Sequence, residues 1–278
     1  MKQIILAGAF LLGLSFASNA QSLVPLWSTD STLRVPESVY HDAKTERIYV
    51  SNIEGKGAWE KDGRGSISII TSSGKILSPY WVTGLHAPKG MGMFQDFLIV
   101  ADIDSVVIIE PIRAQIVKKI YIEGAQALND LSVDKRGNIY VSDSKTKKIH
   151  IIDGLKLDVS LYLDGLKGPN GVLFVDRTLY YVDAGGFYKV GKDKEKILIV
   201  DGLEGGTDGI EQIDEENFLV SCWSGTIYHV NLKGEKKLLL DTRGGQVNAA
   251  DIGYDKKKKI VYVPTFYKNS VMAYQLAQ

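Results

Sequence analysis

Four short stretches of this chain carry an oxygen-bearing side chain in the same setting: "PESV" at Glu37, "LNDLSVD" at Asn129, "GPNGVLF" at Asn170 and "GTDGI" at Asp208. Each of them opens an apolar run. From Asn129 onward the interval is about 40 residues, and it continues to Asp251 in "NAADIGYD". Going backwards, the same position falls on Lys89 in "APKGMGMF". Glu37, Asn129, Asn170 and Asp208 offer oxygen only, as two carboxylates and two amide carbonyls. Brought together they suit one hard divalent cation, above all Ca²⁺, which takes about six to eight oxygen ligands. Mg²⁺, Mn²⁺ and Zn²⁺ stay open as occupants. Zinc, however, favours His or Cys, and none of His41, His86, His150 and His229 stands at a marker position. A local role competes with the metal, because short polar side chains at strand starts also bond to nearby backbone.

What has to position these residues is visible in the rest of the chain. Runs such as "RIYVSN", "FLIVAD", "NIYVSD", "TLYYVD", "FLVSCW" and "IVYVPT" are rich in Ile, Val, Tyr and Phe and are separated by Gly, Asp, Asn or Lys turns. They read as short strands. No helix of a dozen residues is expected beyond the N-terminal stretch. A period near 40 with four strands per unit predicts a six-bladed β-propeller, all-β, of four-stranded blades. The sixth unit ends one strand short, and "SLVPLWSTD" (22–30) is expected to supply that strand and close the ring. The first unit carries an insertion, "EGKGAWEKDGRG", between its second and third strands. In such a ring the first strand of each blade lines a central channel, so the marker residues converge on one axis.

Composition narrows the function classes. The 33 basic and 33 acidic side chains cancel, which leaves no electrostatic footprint for nucleic acid. The run Lys256–Lys259 reads as a solvated hairpin tip. Residues 1–20 combine Lys2, an apolar stretch and small residues Ser18 and Ala20, the pattern of a secretory signal peptide. The remaining 21–278 are expected to form one propeller domain, exported to the periplasm or secreted, with no membrane insertion after cleavage and acting as a monomer. Cys222, the only cysteine, excludes an internal disulfide and reads as a buried, inert thiol.

With "PESV", "LNDLSVD", "GPNGVLF" and "GTDGI" in this order, the sequence resembles the gluconolactonase and regucalcin (senescence marker protein) family of six-bladed propellers, related to paraoxonases and diisopropylfluorophosphatases. The resemblance implies one cation in the channel, held by Glu37, Asn129, Asn170 and Asp208, and hydrolysis of a small-molecule lactone or related ester. It also implies that Asp208 doubles as catalytic base or nucleophile, while Asn129 of the "ND" pair lies at the metal or substrate, with Asp130 beside it as a pocket candidate. Lewis-acid polarisation and an activated water would be the chemistry. The chain departs from the family's sugar-lactone members at Ala127, where those often carry Arg. It also lacks an evident counterpart of the paraoxonase His pair. Lys89, Asp251, Trp223, Phe266 and Tyr267 complete the candidate pocket. The competing expectation is a non-catalytic propeller that binds a ligand or protein partner, with the metal absent or purely structural.

Overall fold

The computed structural model describes residues 21–55, 57–204 and 206–277, so the signal-peptide expectation lies outside the described residues. Six four-stranded antiparallel sheets are arranged as the blades of a propeller. Blade 6 is completed by the N-terminal strand Ser22–Ser28, which pairs antiparallel with Val271–Ala277. The expected ring closure is therefore present, and it covers an edge that would otherwise template aggregation. Apart from three single turns of 3-10 helix, the described chain is strand and loop. No helix among the described residues is long and apolar enough to cross a membrane.

Each pair of neighbouring blades shares one apolar layer. Tyr49, Ile67 and Val82 of blade 1 pack on Leu98, Val100 and Val107 of blade 2. Tyr180, Val182 and Phe187 of blade 4 meet Phe218 and Val220 of blade 5 in the same way. The ring is closed between blades 6 and 1 by Tyr262, Val271 and Ala273 against Val39, Ile48 and Val50. Strand alternation explains the pattern: successive side chains face opposite sides, and both sides of an inner strand meet another sheet. Cys222 lies in one of these layers, and burial pushes its thiol up to about 12, as expected of an inert cysteine.

The innermost strands are Pro36–Asp42, Pro88–Phe94, Leu128–Val133, Pro169–Val175, Thr207–Gln212 and Gly253–Asp255. They stand side by side around the axis and set the geometry of the channel.

Candidate functional site in the central channel

The marker residues are aimed by an irregularity that recurs from blade to blade. In blades 1 to 5 the pairing between first and second strands slips where the marker stands: between Pro36 and Ser38, Pro88 and Met91, Leu128 and Leu131, Pro169 and Val172, and Thr207 and Ile210. Such bulges re-aim a side chain and leave a backbone N–H without its ladder partner. Serines of the second strand take up that N–H in three blades. Ser51 Oγ accepts from Ser38 N at 2.9 Å, Ser142 Oγ from Asp130 N at 3.0 Å and Ser221 Oγ from Gly209 N at 2.8 Å. The last residue of the second strand then clamps the loop that leads into the first. Asp102 accepts the N–H groups of His86 and Ala87, Asp143 those of Gln126 and Ala127, and Asp183 those of Lys167 and Gly168. Asn52 Oδ1 does the same for Arg34 N. Each clamp lies a few residues ahead of a marker residue and fixes where it enters the channel.

The Asn-Gly pair of "GPNGVLF" shows how tightly the inner strands approach. Gly171 does not take a left-handed conformation, so the pair is no turn. A Cβ on Gly171 would stand 2.1 Å from the Asp208 carbonyl oxygen, and no side chain fits there. Glycine here keeps blades 4 and 5 close enough for Asn170 and Asp208 to share the site.

Glu37, Lys89, Asn129 and Asp208 are all buried, and Asn170 is half-buried. Glu37 Oε2, Asn170 Oδ1 and Asp208 Oδ1 have no hydrogen-bond partner, although each atom is shielded from solvent. Buried polar atoms are nearly always paired, so three orphaned oxygens among four equivalent positions leave electron-pair donors free for a further partner. Asn129 is oriented to match. Ser144 Oγ donates its proton to the Pro169 carbonyl at 2.7 Å and so accepts from Asn129 Nδ2 at 3.0 Å, which frees Asn129 Oδ1. The donor set therefore fits a hard cation: four oxygens from four blades, three of them unpartnered.

The electrostatics point the same way. Burial, only partly offset by Lys89 and then reinforced by Asp251, pushes Glu37 up to about 8. Asp208 is held well above the usual carboxylate range by burial, then by the charges of Glu37 and Asp251. Asp251 itself rises to about 7 through burial. Without a cation the cluster favours protonated acids, because packed carboxylates cannot all ionise in a dry site. A divalent cation removes that penalty.

Lys89 is the one buried amine facing these acids among the described residues. Burial pushes its ammonium below its ordinary value, and Glu37, Asp102 and Asp208 act against that. Its Nζ donates to the Ala58 carbonyl at 2.9 Å and lies 4.3 Å from the centre of the Trp59 ring. Both residues belong to the blade 1 insertion, which therefore folds onto the channel end where the first strands begin. Around Ala58 an apolar collar is formed by Ile53, Ala87, Ile103, Ala250 and Phe266. Trp223 and Tyr267 meet Phe266 edge-to-face, at 5.5 and 4.8 Å between ring centres, on loops of the same face. Phe266 is buried, while Trp223 and Tyr267 are open to solvent.

Asp130 and Asp251 stand apart from the four ligating candidates. Asp130 spends its oxygens on backbone, accepting from Leu131 N and from Val172 N of the next blade, both at 2.7 Å. It ties blade 3 to blade 4. Asp251 accepts a short hydrogen bond from Ser38 Oγ, and its backbone N donates to the Glu37 carbonyl at 2.9 Å. It joins blade 6 to blade 1. Both acids also line a cavity of about 260 Å³ with Tyr40, Met93, Phe174 and Glu211. This cavity lies further along the inner strands than the four oxygen donors, none of which lines it.

No protein-family model and no curated protein matches this chain. Its shape is that of solved propellers of remote sequence. The streptogramin B lyase structure superposes with a TM-score of 0.67 at 10% identity, covering 92% of this chain and 97% of that one. A chain in the crystal structure of a nidogen/laminin complex does so with a TM-score of 0.64 at 17% identity, covering 80% and 85%. These likenesses show the propeller fold and nothing finer; the six blades are those of the chain's own sheets.

Proposed function

We propose that the chain is an exported, divalent-cation-dependent hydrolase of a lactone or related ester, with Glu37, Asn129, Asn170 and Asp208 holding the cation, Ca²⁺ before any other. The observation that carries this reading is the trio of buried, unpartnered oxygens at Glu37, Asn170 and Asp208. The resemblance of the four marker motifs to the gluconolactonase and regucalcin family supports it. So does the occurrence of an enzyme, a streptogramin B lyase, on a propeller of this shape.

When bound, the cation would polarise the ester carbonyl and lower the pKa of an adjacent water. The chain's own groups do the rest. Asn129 and Asn170 present neutral carbonyl dipoles, so the site's charge is set by Glu37 and Asp208. Asp208, once ionised, takes the proton of the attacking water; Ca²⁺ acidifies water less than Zn²⁺, so this general-base step matters more. Lys89 offsets negative charge beside Glu37, and the insertion grips its ammonium through the Ala58 carbonyl.

A second reading, a non-catalytic propeller with a purely structural cation, draws on the deep burial of the same oxygens and on the nidogen/laminin neighbour, a propeller seen in a protein complex. One experiment separates them. Metal-stripped protein, beside Asp208→Ala, is titrated with Ca²⁺ by calorimetry and then screened on lactones and esters. Stoichiometric binding and Ca²⁺-dependent turnover, both lost in the variant, support the hydrolase. Binding without turnover supports the structural cation, and no Asp208-dependent binding of Ca²⁺, Mg²⁺, Mn²⁺ or Zn²⁺ sinks both.

A further inference from the structure

At the opposite face, a second cluster joins the first and last blades. His41 lies near the end of the innermost strand of blade 1, Glu46 in the turn that follows, and Asp255 at the end of the innermost strand of blade 6. One ligand atom from each lies within 4.8 Å of the others. His41 Nε2 and Asp255 Oδ2 are 3.7 Å apart on side chains only 3% exposed, too far for a hydrogen bond, and neither atom has a hydrogen-bond partner. We propose that His41, Glu46 and Asp255 form a site for a zinc-class transition-metal ion that clasps the seam between blades 1 and 6.

The geometry is that of ligands waiting on a metal. Two donors bound to one zinc at about 2.1 Å in tetrahedral arrangement stand roughly 3.4 Å apart, close to the separation seen here. Asp255 already has the orientation a ligand needs. Its Oδ1 accepts from Lys257 N at 3.0 Å and Lys258 N at 2.9 Å, which leaves Oδ2 facing the imidazole. The His41 ring is held against Tyr262, 5.6 Å between centres. Such outer contacts are what hold metal ligands in place. Glu46 is exposed and can swing in as the third ligand. An imidazole with two carboxylates selects Zn²⁺ and its neighbours in the first transition row over Ca²⁺, and it leaves a coordination position for water.

The chain already supplies a stand-in charge. Lys258 Nζ pairs with Glu46 Oε2 and lies 3.6 Å from Asp255 Oδ2. The ammonium balances the two carboxylates but does not engage the imidazole nitrogen. It is 41% exposed and can leave. A metal would displace it and join inner strands that are remote in sequence, where cross-links gain most. It would close at the inner strands what the Ser22–Ser28 pairing closes at the outer edge. This site is independent of the proposed hydrolase.

The test uses the untagged, metal-stripped full propeller, titrated with Co²⁺ and Zn²⁺ by calorimetry, visible absorption and thermal melting. One equivalent of Co²⁺ with visible d–d bands, displaced by Zn²⁺ and retained in Asp208→Ala, is the expected result. Glu46→Ala, an exposed change that leaves folding intact, and His41→Gln should each weaken binding by on the order of 10- to 100-fold or more. Lys258→Ala should tighten it, and Zn²⁺ should raise the melting temperature of the parent but not of His41→Gln. No saturable binding by folded protein, binding indifferent to both Glu46→Ala and His41→Gln, or binding lost in Asp208→Ala would each overturn the proposal.

Discussion

Where the innermost strands begin, acid is buried as an all-oxygen ring drawn from four blades, and its one facing amine, Lys89, is held by backbone carbonyls, one of them from an insertion. Where the strands of blades 1 and 6 end, acid stands beside an imidazole, and a lysine on a hairpin already sits among the carboxylates. The difference lies in where each set comes from. The first repeats with the blades and inherits a common bulge, so its residue types converge on one chemistry. Among the described residues the second is met once around the ring, at the seam, and mixes nitrogen with oxygen. On the two proposals, one propeller would offer a hard-cation site and a borderline one, toward opposite ends of its inner strands.

The contrast between the two ends breaks first at Asp208. Asp208→Ala should cost at least ~100-fold in Ca²⁺ affinity while leaving Co²⁺ binding at the seam unchanged; calorimetry on the same preparation reads both. Equal losses at the two ends would mean that the channel is one coupled site. Asp143→Ala removes the acceptor for the N–H groups of Gln126, Ala127, Lys145 and Thr146. Ala127 N is buried and the other three are part-buried; a buried donor left unpaired costs about 1–3 kcal/mol, so a destabilisation of about that size in urea is expected. Ca²⁺ binding should weaken with it, because Asn129 follows that loop. Gly171→Ala places a Cβ against the Asp208 carbonyl and should destabilise by about 1–3 kcal/mol. A change within experimental error would show that blades 4 and 5 can part freely.

The pH dependence sharpens the same contrast. Glu37 and Glu211 are pushed up to about 8 and Asp251 to about 7, all chiefly by burial. Raised acids bind protons more tightly in the folded state than in the unfolded chain, whose carboxyls titrate near ~4. Their contribution is therefore fully present below that value and is lost as pH climbs through 7 to 8. Metal-free protein should melt at progressively lower temperature across this window. Saturating Ca²⁺ should remove the Glu37 share of the trend, since it favours the ionised form; a profile that is flat without metal would contradict the buried cluster. The smallest effect is expected at Tyr267, mostly exposed at 66%. Tyr267→Ala loses two edge-to-face contacts, to Phe266 and Trp223, on an exposed rim, about 0.5–1.5 kcal/mol in all, and leaves both metal affinities unchanged.

Much of this was legible in the residues. The 40-residue recurrence, the alternation within "RIYVSN" and "NIYVSD", and the missing sixth-blade strand led to the ring and its closure. The markers did fall at equivalent positions, and three of the four ligating candidates hold the orphaned oxygens. Other signals stood in plain view without being informative alone. The Ser-Asp and Ser-Asn endings of second strands turned out to stitch the bulges and clamp the loops. Asp130 stands beside Asn129 in the chain, yet its oxygens go to backbone, because a bulge sends neighbouring residues in different directions. Lys258, in a run that reads as a solvated tip, reaches back over the seam.

Strand periodicity and blade recurrence are local properties, carried by two-residue alternation and by turns, and for that reason the sequence by itself determined the architecture and the ring of marker positions. The partners were decided by tertiary structure alone. Whether Lys89 faces a substrate or Ala58 and Trp59, which end of the channel holds the cavity, and that His41 meets Asp255 all depend on residues remote in sequence. Their meeting is set by how six sheets pack and close, and no short window of sequence contains that information.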